Sequence, residues 1–249
     1  MNEPAPTAVS YHPSVEAWDG WPAFLEHLID TTAPGSVCDV GGGRNPTFSA
    51  EYVQDHGFEY TLLDIDPTEL ERARGSVDKV VADIAAPSFE PPRQYDLVLS
   101  RMLAEHVGDG GQFHRNVFRL LAPGGIAVHF FPTLFSTPFV VNRLMPERLA
   151  DVVLDAIAPR DRSLQGKFPA RYSWCRGPTA RQMRRLRGIG YQIVEYRGYF
   201  GHAYYGRLPV VRELHRAKSR LLLRHPVAPL TSYACVVLRK PDRSPTDGA

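Results

Sequence analysis

An α/β fold with a doubly wound, mostly parallel sheet follows from three features of the 249-residue sequence. Short apolar runs alternate with segments whose apolar residues recur at helical spacing. The runs are apolar on both faces, as in strands covered by helices on each side. The first of them leads directly into three glycines, Gly41-Gly42-Gly43, followed by Asn45-Pro46.

Taken in order, residues 1–13 contain Pro, Ala and Ser and read as loose chain. Trp18, Trp21, Leu25, Leu28 and Ile29 share one helical face and predict a single amphipathic helix over 15–30. Strands are predicted at 36–40, 60–64, 77–83, 95–100, 125–131, 191–196 and 233–239. Further helices are predicted at 147–157, 179–187 and 210–223, and 241–249 reads as a disordered tail.

Composition narrows the function classes. The chain is 43% apolar and 22% charged, as a globular protein is. It lacks a run of about 18 apolar residues, so no membrane span is expected. Met1-Asn2-Glu3-Pro4-Ala5-Pro6 has neither the basic flank nor the apolar core of a signal peptide. Cys38, Cys175 and Cys235 stand at unrelated spacings that suit neither a disulfide framework nor a zinc site. The expectation is a cytoplasmic protein with reduced thiols and no metal. Charge is divided unevenly. Residues 1–133 hold 8 Lys+Arg against 19 Asp+Glu, and residues 134–249 hold 21 against 8. The basic half either pairs with the acidic half or meets an anionic partner.

In the segment Val37-Cys38-Asp39-Val40-Gly41-Gly42-Gly43-Arg44-Asn45-Pro46, a strand enters a glycine turn. Asn45 then reads as a helix cap and Pro46 as the first helical position. Bare backbone and a helix N-terminus suit an anionic ligand. The dinucleotide fingerprint G-x-G-x-x-G fits poorly, because Pro46 stands where its third glycine belongs. About 20 residues on, Asp64 ends a strand, where a carboxylate accepts hydrogen bonds from ribose hydroxyls. Asp66-Pro67-Thr68-Glu69 reads as a helix cap with Glu69 reaching back.

The glycine segment resembles motif I of class I S-adenosylmethionine-dependent methyltransferases, (D/E)-x-G-x-G-x-G. Asp39, Gly41 and Gly43 match and Asn45 replaces the last glycine. Four further blocks follow in order: Asp64-Ile65; Val81-Ala82-Asp83-Ile84, like the family's adenine-contacting motif; Tyr95 to Ser100 with Leu103 to Val107, like motif IV and its following turn; and Leu120 to Gly125, like motif V. In the last, the glycines would end a helix in a left-handed conformation. The resemblance implies a Rossmann-like seven-stranded sheet with its last strand antiparallel. It also implies a single domain over 1–249, with a cofactor-binding half at 14–133 and inserts at 134–178 and 201–230 forming a substrate-side cap.

By the same resemblance the cofactor is S-adenosyl-L-methionine, held by Asp39, Gly41, Gly42, Gly43, Asn45, Asp64, Ile65, Asp83, Ile84, Ser100 and Arg101. The implied reaction is methyl transfer by in-line displacement, in which the protein chiefly supplies proximity and orientation. A general base would help a hydroxyl or acidic-carbon acceptor. Candidates are His129, His202 and His106, with Tyr11-His12 behind them; His106 also suits framing the cofactor site.

Aromatics after motif V (Phe130, Phe131, Phe135, Phe139, Tyr172, Trp174, Tyr199, Phe200, Tyr204, Tyr205) suggest a pocket for a small aromatic or apolar metabolite. Arg143, Arg148 and Arg171 are candidate anion anchors. The expected partner is a small molecule, without membrane contact, for a monomer or homodimer. A nucleic-acid (RNA) methyltransferase is disfavoured by Ser100-Arg101-Met102-Leu103 in place of (D/N)-P-P-(Y/F). The remaining alternatives are a non-catalytic binding protein of the same fold and an NAD-dependent oxidoreductase.

Overall fold

The computed structural model describes residues 7–75, 77–134, 169–205 and 208–242. The helix expected at 147–157, together with Phe135, Phe139, Arg143, Arg148 and most of the tail, lies outside the described residues.

Eight strands form one sheet: β1 (Ala8–Pro13), β2 (Ser36–Val40), β3 (Glu59–Asp64), β4 (Asp78–Val81), β5 (Tyr95–Arg101), β6 (Leu121–Pro132), β7 (Gln192–Phe200) and β8 (Tyr233–Arg239). Their spatial order is β1-β7-β8-β6-β5-β2-β3-β4. Every pairing is parallel except those of β8, which runs antiparallel between β6 and β7. Seven strands fall at or near their expected positions. The eighth, β1, occupies the stretch expected to be loose: it extends the sheet beside β7, pairing Tyr11 with Gly198, and Tyr11 stacks on Phe200 at 5.5 Å.

Among the described residues the helices are α1 (Ser14–Asp19), α2 (Trp21–Thr32), α3 (Ala50–His56), α4 (Pro67–Arg72), α5 (Gly110–Leu120), α6 (Ala180–Ile189) and α7 (Pro209–Arg224). The single helix expected over 15–30 is broken at Gly20. Pro22, in the first turn of α2, has no N–H to continue a ladder from α1, so two short helices replace one. The helix expected to start at Pro46 instead starts at Ala50, capped by Ser49, whose hydroxyl accepts from Tyr52 N–H at 3.1 Å. Asp66 caps α4 as expected, accepting from Thr68 N–H at 2.8 Å. α5 ends at Leu120, and Gly124, with φ +77°, bends the entry of β6 rather than ending the helix.

Neighbouring residues of β6 show that both faces are covered. Phe130 packs on Trp18 and Trp21 of α1 and α2, while His129 packs on Phe113 of α5. Val37, Cys38, Leu62, Val98, Leu99 and Val128 are each at most 1% exposed along the middle of the sheet. All three cysteines are buried free thiols. Among the described residues no helix is long and apolar enough to cross a membrane, and no group of three metal-ligating side chains occurs.

Strand order fixes where a ligand can sit. From β2 the chain winds outward through β3 and β4, then returns to β5 on β2's other side. The connections after β2 and β5 therefore diverge, leaving a crevice beyond the carboxyl ends of those two strands.

The β1 pairing makes a stability prediction. A Cβ on Gly198 would lie 2.6 Å from Thr231 Cγ2 and 3.0 Å from Tyr11 Cδ1. Gly198→Ala is expected to push β1 from the sheet edge and cost about 1–3 kcal/mol, read as a lower urea midpoint. An unchanged midpoint would show that β1 is not tightly docked.

Candidate cofactor site

The crevice is bordered by residues 41–48 after β2, by Asp64 to Asp66 after β3 and by residues 101–106 after β5. The first segment is held from beneath. Asp39, 2% exposed on β2, accepts at Oδ2 from the Tyr60 hydroxyl at 2.7 Å and from Thr47 N–H at 2.9 Å. The Tyr60 oxygen in turn accepts from the N–H groups of Thr47 (3.0 Å) and Phe48 (3.3 Å). Burial pushes the Asp39 carboxyl pKa upward, against the pull of these bonds. Asp39 thus organises the backbone beside it.

The three glycines are sterically required. Gly41 has φ +78°, and a Cβ there would sit 2.9 Å from Leu103 Cδ1. At Gly42 a Cβ would meet Asp39 Oδ2 at 2.8 Å. Gly43 has φ +42°, with Asp64 Oδ2 3.1 Å and Glu69 Cβ 3.2 Å from the Cβ position. Only bare backbone fits between these side chains, and it is left open to close approach. Arg44 closes the segment with a two-pronged ion pair to Glu69. Glu69 therefore pairs with Arg44 where the sequence suggested that it reach back to cap α4. Asn45 caps no helix; it is exposed, and its N–H closes a turn onto Gly42 O at 2.9 Å.

Asp64 is half-buried at the end of β3. Its Oδ1 accepts from Asp66 N–H at 3.0 Å, and its Oδ2 faces Gly43. Desolvation raises its pKa. Ile65 is 55% exposed beside it. Asp83 is exposed, and its Oδ1 accepts from Ala85 N–H at 2.8 Å. Ile84 is buried. Its carbonyl, and that of Ala86, each accept from Asn116 Nδ2 at 2.8 Å. Asn116, fully buried on α5, was not singled out from the sequence, because a helical asparagine 30 residues away gives no local signal of this anchoring.

Beyond β5, Arg101 is exposed and Met102 adopts φ +56°, a left-handed conformation that is costly for a non-glycine side chain. Its N–H is tied to Phe130 O at 2.8 Å. This turn drives Leu103 against Gly41 and leads into the short 3-10 turn Ala104–His106. His106 is about one-third exposed, with Nε2 3.7 Å from Glu105 Oε1. Glu105 itself is only 3% exposed, and its Oε2 has no hydrogen-bond partner among the described residues. Burial lifts its pKa to about 8. A buried carboxyl bordering the crevice is a functional candidate to which the sequence pattern alone assigns no role, because burial of one glutamate in a short turn leaves no local signal.

The other expected site residues lie apart from this constellation. Ser100 and His129 are fully buried and bonded to each other, Oγ to Nδ1, at 2.8 Å. Their rings and hydroxyl face the α5 side, and burial holds His129 far below the ordinary histidine pKa. An imidazole so enclosed, with neighbours Phe113 and His114, has no open path to a substrate in this conformation. His202 follows β7 and stacks on His215 at 3.9 Å, with its pKa lowered to about 3 mainly by burial. The sheet order places β7 four strands from β2. A cavity of about 430 Å³ lies at that far end, walled by Trp21, Phe24, Arg197 and Tyr199 and not by the glycine segment.

Two measurements test this geometry. Tyr60→Phe removes the hydroxyl under the glycine segment, with an expected loss of about 1–3 kcal/mol and faster amide exchange at Thr47 and Phe48; unchanged exchange would contradict the anchoring. Glu105 titrates near 4.3 when unfolded and near about 8 when folded. Between those values the folded chain keeps a proton that the unfolded chain releases. Stability should therefore fall as pH rises from about 4.3 to 8 and level off above. Glu105→Gln should remove that part of the fall in Tm between pH 5 and 8. A variant that declines as steeply as the parent contradicts a protonated Glu105.

The comparisons agree with this architecture. A family model described as "Methyltransferase domain" matches residues 17–195. The chain is 34% identical over 107 residues to 2-methyl-6-phytyl-1,4-hydroquinone methyltransferase from Synechocystis, covering 40% of this chain and 33% of that one. It is 31% identical over 170 residues to malonyl-[acyl-carrier protein] O-methyltransferase from Pseudescherichia vulneris, covering 63% and 65%. The chain thus spans about a third of the first relative and just under two thirds of the second. A crystal structure of an S-adenosylmethionine-dependent methyltransferase from Archaeoglobus fulgidus superposes with a TM-score of 0.54 at 14% identity, covering 89% of this chain and 94% of that one. The glycine segment at the switch point, the antiparallel β8 and the family match together place the chain in the methyltransferase-domain family, with the class I S-adenosylmethionine-dependent fold.

Proposed function

We propose that the chain transfers a methyl group from S-adenosylmethionine to a small acceptor with an aromatic or apolar body. One observation carries this: at the sheet's switch point the side-chain-free backbone of Gly41 to Gly43 meets an Asp64 oxygen at Gly43, and Ile65, next in the chain to Asp64, is exposed. S-adenosylmethionine supplies the sulfonium methyl. On the protein side, Asp64 accepts the ribose hydroxyls, and Ile65 offers an apolar face to the base. Asp83 and Ile84, on the loop tied down by Asn116, border the base from the other side. Arg101 and the Met102 turn close the crevice at the β5 end. Asp39 acts through the loop it orders.

Support for the acceptor class comes from the rings near the carboxyl ends of β6 and β7. Trp18 meets Phe130 at 5.2 Å and Tyr233 at 5.6 Å, and Phe130 meets Tyr199 at 6.2 Å. Phe130, Tyr199 and Tyr233 are buried behind Trp18, which is 42% exposed and offers the apolar surface that an acceptor's body would cover. One relative is named for a phytyl-substituted hydroquinone, an acceptor that such a wall would suit. We assign His106 the role of base, because it alone of the three expected histidines lies on the turn that overlies Gly41.

Calorimetry tests the cofactor part. S-adenosylhomocysteine is expected to bind the parent chain, and Asp64→Ala to weaken it at least about tenfold through two lost charge-assisted bonds; equal affinity would remove Asp64 from the site. For the chemistry, metabolite mixtures incubated with S-adenosylmethionine are screened by mass spectrometry for a gain of one methylene. With an acceptor in hand, His106→Gln should lower kcat by about 10²–10⁴-fold and flatten the pH–rate profile. An unaltered profile clears His106 of proton transfer.

A further inference from the structure

One stripe of side chains docks α7 on β1 and β7. His215 stacks on His202 at 3.9 Å, Ser219 Oγ lies 3.4 Å from where a Cβ on Gly201 would stand, and Leu222 is buried. These three recur at helical spacing. A second stripe on the same helix is apolar and faces solvent: Val210, Leu214 and Leu221 are 72%, 67% and 59% exposed. It lies about 130° round the helix from the docked stripe. Apolar residues scattered singly over a surface are ordinary, but three aligned on one helix face mark a contact surface.

We propose that this face of α7 lies in the headgroup region of an anionic lipid bilayer and anchors the chain there without spanning it. Charge selects that occupant. Helical spacing puts Lys218 on one flank of the apolar stripe and Arg220 and Arg224 on the other. Among the described residues none of these three has an ion-pair partner. The one acidic residue of α7, Glu213, is already held by Arg216 at 2.8 Å and by Arg212 at 3.2 Å. A helix about 24 Å long, with an apolar stripe between basic rows, matches an interface where acyl chains lie beneath anionic headgroups. A second copy fits less well, because pairing two such stripes brings their basic rows together. A nucleic-acid backbone would meet the cations and leave the three apolar side chains in water. The want of an apolar run long enough to span a bilayer, on which the expectation of no membrane contact rests, does not bear on a helix that lies in the interface. Gly201 follows the carboxyl end of β7, so this docking sets α7 toward the end of the sheet where the cofactor crevice opens.

Cosedimentation of the full chain with lipid vesicles reads the anchoring. Binding is expected to vesicles of phosphatidylcholine with one-third phosphatidylglycerol. It should be at least about tenfold weaker on phosphatidylcholine alone and should fall as salt rises. Leu214→Gln with Leu221→Gln should weaken it about tenfold or more. Lys218→Gln with Arg220→Gln and Arg224→Gln should weaken it about a hundredfold, at about fivefold for each cation. All five side chains are exposed, so both variants should keep the parent's urea midpoint. Arg181→Gln, on α6, which is also basic, should bind as the parent does. A parent chain that ignores anionic vesicles, or binds both compositions alike, overturns the proposal. Full binding by the leucine variant overturns it too, since bulk charge would then account for the contact. So does a parent dimer that binds no vesicles and that the leucine variant splits, which would give the stripe to a second copy.

Discussion

The buried bond between Asp39 and Tyr60 is the constraint on which the rest of the site depends. A strand that ends in three glycines has no side chains with which to fix its own path. Here the path is imposed from below by one carboxylate and one phenol, which together receive the N–H groups of Thr47 and Phe48. The cost of burying Asp39 is offset by these bonds, since a buried carboxylate left unpaired would be severely destabilising. The result is a length of backbone that can approach a ligand while remaining rigid, the preorganisation that binding requires.

The sheet topology gives that backbone its location. Because β3 and β4 wind away from β2 while β5 returns on the other side, the glycine segment and the Met102 turn face each other across the switch point. Both are held in left-handed conformations, at Gly41 and Gly43 by glycine and at Met102 by its backbone bond to β6. Leu103 packing on Gly41 couples the two borders, so displacement of one is felt by the other. Through Glu105, whose carbonyl accepts from the N–H groups of Arg171 and Tyr172, the same turn also holds the segment that leads into α6.

Much of this was legible in the sequence, and the reasons are local. Central strands such as Ser36–Val40 are covered on both faces and so appear as continuous apolar runs, and the Asp64 and Asp66 signals depend on neighbours two residues away. What the sequence hid depends on distant or directional information. The edge strand β1 (Ala8–Pro13) mixes Ser, His and Pro with its apolar residues and is nowhere fully buried, so it lacks the apolar run of a central strand. Tyr60 and Asn116 read as an ordinary strand aromatic and a helical polar residue until the fold brings them under the loops they hold. Alternation along β6 separated His129 from Phe130 but did not say that the His129 face is sealed by α5. The break at Gly20 is legible in hindsight from Pro22.

The most direct measurement of the central claim is a crystal structure with S-adenosylhomocysteine bound. The account predicts the nucleoside against the Gly41–Gly43 backbone, its ribose hydroxyls on the Asp64 carboxylate, and the Asp39–Tyr60 bond intact beneath. A nucleoside lodged elsewhere, or one reached only after that bond breaks and the glycine segment refolds, would contradict it.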